Sequence, residues 1–91
     1  MHNYETLKKA LEKEVYPHVF LFKFIGKNSG VFLVGIQDFE KKFPQLVKSS
    51  QRLSKNQNHL ALTYQLEAQS PEEIMAVYYG IGQLPDLSMV L

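Results

Sequence analysis

Cysteine is absent from the 91 residues, which excludes disulfides, thiol catalysis and cysteine-ligated zinc or iron–sulfur clusters. The lack suits a cytoplasmic chain, the compartment expected here. No sign of charge dominates. Ten basic against nine acidic residues leave +1, so neither nucleic acid nor an anionic membrane is indicated as a partner. Long apolar runs are missing as well. Val19 to Ile25, broken by Lys23, and Val31 to Ile36 fall far below the ~20 residues of a membrane-spanning helix. The opening from Tyr4 to Glu14 is charge-rich and does not read as a signal peptide. No repeat, low-complexity tract or linker interrupts the chain. What remains is a globular composition, 45% hydrophobic and 21% charged, sufficient for one domain with a modest core.

Periodicity then assigns the elements. Tyr4, Leu7, Leu11 and Val15 recur at helical spacing opposite Lys8, Lys9, Glu12 and Lys13, which predicts a helix to Val15, capped by Asn3 and ended by Pro17. Val19 to Ile25 is aromatic and branched throughout, the pattern of a strand covered on both faces. Phe20, Phe22 and Phe24 share one face; Val19, Leu21, Lys23 and Ile25 share the other, and the lysine marks that face as the wetter. Gly26 closes the strand. Phe32, Ile36, Phe39 and Phe43 predict a second helix after Ser29 as N-cap, ending before Pro44, with Gly35 as a weak point. Leu46 to Ser54 suits an edge strand guarded by Lys48 and Arg52. Lys55 to Asn58 predicts a hairpin, with asparagine in the left-handed conformation.

His59 to Ala68 alternates cleanly, with Leu60, Leu62, Tyr64, Leu66 and Ala68 on the core side. Ser70-Pro71-Glu72-Glu73 is a full capping box that opens a helix buried through Ile74, Val77, Tyr78 and Ile81. Leu87 to Leu91 is a last short strand. After the leading helix the order is strand, helix, strand, strand, helix, strand. That is an α+β, ferredoxin-like βαββαβ sandwich with a four-stranded antiparallel sheet, and its first and third strands are central. The domain would span 16–91, preceded by the amphipathic helix of 1–15. The three phenylalanines would lie under the helices. Val19, Leu21, Lys23, Ile25, Ala61, Thr63 and Val90 would form an opposite face too apolar to stay wholly wet.

Few residues suggest chemistry. His2, His18 and His59 are scattered, without the paired spacing of a metal site. There is no nucleophile elbow and no phosphate-binding P-loop. Glu72 and Glu73 answer the helix dipole. An enzyme is therefore not expected, nor are a metal or a cofactor. RNA binding through sheet aromatics is disfavoured, because the phenylalanines alternate onto the core face and the RNP1 pattern is missing.

Tyr16-Pro17, Phe20, Phe22-Lys23, Ile25-Gly26, Arg52, Ser54, Val77-Tyr78 and the closing Met89-Val90-Leu91 together resemble the YbeD-like family. These are small bacterial proteins of largely uncharacterised function, some labelled lipoate regulatory protein. The resemblance runs from about Tyr16 to Leu91 and departs at the hairpin. There the family tends to have glycine, an aromatic and a serine, and this chain has Gln57, Asn58, Leu60 and Ala61. It implies a ferredoxin-like fold similar to ACT-type regulatory domains, and it supplies no catalytic residues. Two functional expectations follow. One is a non-enzymatic regulatory or adaptor module that docks its sheet face on a protein partner or on a second copy, a homodimer. The leading helix would then be a lid over that face or an interaction arm. The other is an ACT-like sensor holding an amino acid or small anion at Gly26, Lys27, Asn28, Ser29 and Gly30. Free N–H groups at a helix start with Lys27 beside them suit an anion, whereas two glycines in a tight turn would need no ligand.

Overall fold

The computed structural model describes residues 4–91, and for Tyr4 the backbone alone. Asn3 and His2 lie outside the described residues. The elements are α1 (Tyr4–Glu12), β1 (His18–Lys27), α2 (Gly30–Lys42), β2 (Val47–Leu53), β3 (His59–Ala68), α3 (Pro71–Gly82) and β4 (Leu87–Val90). The four strands form one antiparallel sheet in the order β2-β3-β1-β4, so the two most apolar strands hold the centre. Phe22 and Phe24 of β1 and Leu62, Tyr64 and Leu66 of β3 are buried. They meet Phe32, Ile36 and Phe39 of α2 and Ile74, Val77 and Ile81 of α3 in one core. Phe24 stacks on Tyr64 with centroids 5.8 Å apart, and Phe39 sits edge-on to both rings. The benzyl groups therefore face the helices, as the alternation predicts.

Caps are where the sequence places them. The Ser29 hydroxyl accepts the Phe32 N–H at 3.1 Å and the Ser70 hydroxyl accepts the Glu73 N–H at 3.3 Å, each satisfying a donor orphaned at a helix start. The Glu73 carboxylate reaches one residue further back than a standard capping box and accepts the Gln69 N–H at 2.8 Å.

Four expectations need correction. The first helix ends at Glu12, not Val15. Lys13 and Glu14 donate to carbonyls three residues back, and the Tyr16 hydroxyl donates to the Leu11 carbonyl at 2.8 Å. These bonds occupy the Ala10 and Leu11 carbonyls before Pro17, at a cis Tyr16–Pro17 bond, is reached. Val15 is consequently 84% exposed while Leu11 is 5% exposed. Second, α1 is no lid over the open sheet face. It packs against α3, in the helix layer, and Leu11 joins the common core.

Third, the left-handed residue of the hairpin is Gln57, at φ 64°, rather than an asparagine. The Asn56 carboxamide oxygen is occupied in accepting from the Ser54 hydroxyl and the Asn58 N–H, so the turn's reversal falls between them. Fourth, Val90 stands opposite Phe24 and is half-buried on the helix side. A register shift between Ile25 and Gly26 leaves Ser88 as an extra residue, so Leu87 and Val90, three apart, share a face. Met89, opposite Ile25, takes the outward position instead.

A second irregularity lies in β2. Lys48 stands opposite Tyr64 but Ser50 stands opposite Thr63, with Ser49 as the bulged residue. Side chains opposite one another share a face, so Lys48 turns to the helix side and Arg52, opposite Ala61, to the open side.

Candidate functional site

Among the described residues no helix covers the second face of the sheet. Its central strands present Val19, Leu21, Lys23 and Ile25 beside Glu67, Gln65, Thr63 and Ala61, in register. Met89 and Leu91 extend it on the β4 side, where the Leu91 N–H donates to the Lys23 carbonyl at 2.8 Å; Ser50 and Arg52 extend it on the β2 side. Val19 is 54%, Leu21 49%, Met89 53% and Leu91 65% exposed. Ala61, Thr63 and Ser50 are small, so they form the floor of a shallow hollow rimmed by Leu21, Leu91, Lys23 and Arg52. The face is thus apolar around Val19, Leu21, Met89 and Leu91, with cations at Lys23 of β1 and Arg52 of β2 and a carboxylate at Glu67 opposite Val19. Among the described residues, neither Lys23 nor Arg52 has an ion pair or a side-chain hydrogen bond. Six of the seven residues expected on this face lie there. Val90 does not.

The loop from β1 to α2 is held from within. Gly26 is a buried β1 residue, and a Cβ on it would enter the Phe32 ring. No described glycine has a positive φ. The Lys27 N–H donates to the Asp86 carbonyl, the Asn28 N–H to Asn58 and the Ser29 N–H to Lys27, each at 2.9 Å. The Asn28 carboxamide donates to the Gln57 carbonyl at 3.0 Å. The Ser29 hydroxyl donates to the Asp86 carboxylate at 2.7 Å. Since α2 has no acidic residue in its own first turn, Asp86 supplies the negative charge that the helix start favours. Sequence order hid this, because Asp86 follows Ser29 by 57 positions; an acidic residue in the turn before the last strand was the available signal.

A third cluster escaped the sequence reading. The Tyr64 hydroxyl donates to the Glu40 carboxylate at 2.5 Å, and the Lys48 ammonium lies 3.0 Å from the same oxygen. Burial first, then the bond to Glu40, pushes the Tyr64 phenol far above its usual value. Burial raises the Glu40 carboxyl, but Tyr64 and Lys48 together outweigh it and leave that group below its usual value. His18 and His59 stand at opposite ends of the sheet, opposite Ala68 and Lys27. Among the described residues no three of His, Asp and Glu converge, and no helix is long and apolar enough to cross a membrane.

A helical layer on one side of a β2-β3-β1-β4 sheet, reached through a β-α-β-β-α-β path after a leading helix, defines an α+β protein of the ferredoxin-like class. The model of the family described as Protein of unknown function (DUF493) matches residues 12–91. The chain belongs to that family, which is the family of the YbeD-like proteins. No curated protein matches it. Among solved structures it is similar to the solution structure of protein HP0495 from H. pylori, with a TM-score of 0.68 and 15% identity, covering 87% of this chain and 86% of that one. At that identity the likeness concerns the fold.

Proposed function

We propose that this protein is a non-enzymatic regulatory or adaptor module, cytoplasmic, that docks its open sheet face on another protein. The observation that carries the reading is an apolar face on which Lys23 and Arg52 make no ion pair among the described residues, with Glu67 standing away from them opposite Val19. Side chains that remain about half exposed on a sheet face have apolar area to bury. Lys23 and Arg52 select a partner that presents carboxylates among apolar groups, since electrostatic complementarity governs specificity and rate of encounter. The loop at Gly26–Gly30 supports a ligand sensor less well, because its donors at 27, 28 and 29 are already bonded.

The test is cross-linking of the full chain in its native host, followed by mass spectrometry. Leu21→Glu and Lys23→Glu are compared with Tyr79→Glu, an exposed residue of α3 on the opposite layer. A protein captured by wild type and Tyr79→Glu, lost with both face variants and weakened by salt, supports the reading. Capture that survives both face variants but disappears with Tyr79→Glu overturns it.

A further inference from the structure

The sheet has a notch. β1 is ten residues long and β4 is four, and the two pair only over Phe24–Gly26, with Leu91 against Lys23. The Lys23 carbonyl that accepts from Leu91 points away from β3. Peptide groups of alternate residues turn to opposite neighbours, so the N–H and C=O groups of Leu21 and Val19 also point to the β4 side. Among the described residues none of these groups has a partner. The vacant stretch, His18 to Phe22, is bounded by Leu91 at one end and by the Tyr16–Pro17 bond at the other.

The notch and the β2 edge differ in kind. β2 carries a bulge and places Lys48 and Arg52 along its length, features that discourage strand addition. The notch carries none. Val19 and Leu21 flank it on the open face, and Phe20, edge-on to Tyr78 at 5.9 Å, flanks it on the helix face. Its free groups are disposed symmetrically about Phe20, one donor and one acceptor on each side. Such an edge is complementary to itself.

We propose that a second copy of this chain fills the notch, β1 pairing antiparallel with β1 about a two-fold axis at Phe20. The Val19 N–H then donates to the C=O of the partner's Leu21, and the Leu21 N–H to the C=O of the partner's Val19. The axis repeats both bonds, so an isologous contact closes the edge. The two open faces become continuous across the axis, with Val19 beside the partner's Leu21. This contact is independent of docking by an acidic protein, and its test reads self-association alone.

Sedimentation of the full chain from micromolar to millimolar concentration is expected to show a monomer–dimer equilibrium. Leu21→Pro removes an N–H that faces the notch and none that faces β3, the placement proline tolerates in a sheet; it should weaken association at least about tenfold. Phe20→Cys gives an independent reading in a chain without cysteine. The axis sets residue 20 of both copies as a close, non-hydrogen-bonded pair, within disulfide reach. Mild oxidation should link Phe20→Cys chains and leave Thr63→Cys chains, altered in mid-face, unlinked. A monomer throughout, a dimer indifferent to a folded Leu21→Pro variant, or linkage through residue 63 instead of 20 overturns the proposal.

Discussion

In the row of β3 side chains that faces the helices, Tyr64 alone carries a polar side-chain atom among Leu60, Leu62, Leu66 and Ala68. A buried hydroxyl needs an acceptor, and Glu40 supplies it at the helix rim. Replacing Tyr64 by Phe should cost about 1 kcal/mol in urea unfolding at neutral pH. The ion pair with Lys48 adds little, because a third or more of both side chains stays in water. The pH dependence has a definite sign. Glu40 is lowered in the fold, so its contribution is complete above its ordinary 4.5 and fades as pH falls towards the lower folded value. Tyr64 is raised, so its contribution holds below its ordinary 10.0 and fades as pH rises beyond it. Tyr64→Phe should flatten both limbs; unchanged acid and alkaline slopes would contradict the assignment. The orientation of Tyr64 was legible from alternation. Its partnership was not, since Lys48 read as an edge guard and Glu40 lies 24 positions away in another element.

Two glycines of α2 make opposite predictions. A Cβ at Gly35 would stand 2.8 Å from Pro85 Cδ, whereas one at Gly30 meets nothing within 4 Å. Neither residue has a positive φ. Gly30→Ala should therefore raise stability by about 0.4–1 kcal/mol through the unfolded chain. Gly35→Ala should lower it by about 1–3 kcal/mol despite the better helix former, because the clash is with a rigid ring in a well-packed contact. Thermal melts of the two variants, and of Gly35→Ala with Pro85→Ala, check the signs; the double variant should recover part of the loss. Read from sequence, Gly35 was a weak point in a helix. Its reason lies in the turn before β4, about fifty positions along the chain. The same distance effect limited the strands. Period-two alternation fixed the faces of β1 and β3, ten residues each. In β4 a single bulged residue reverses parity, and four residues are too few to reveal it.

For the molecule as a whole, α1 is a structural part of the sandwich through Leu11. Leu11→Ala should cost about 2–4 kcal/mol in the full chain, by the transfer and cavity terms of a buried leucine. Val15→Ala, at an 84% exposed site, should change stability by less than about 0.5 kcal/mol. Equal melting curves for the two would show α1 to be undocked. The order of elements and the central pair of strands were legible from periodicity and caps. The resting place of α1 was not, because a narrow apolar stripe states that a helix packs and not against what. The extra residue in β2 has the widest reach. Were β2 regular at its present length, with Ser49 paired instead of bulged, Lys48 and Arg52, four positions apart, would project together from one surface. One peptide unit thus decides whether the outer surface of this protein carries its second cation or surrenders Glu40's counter-ion.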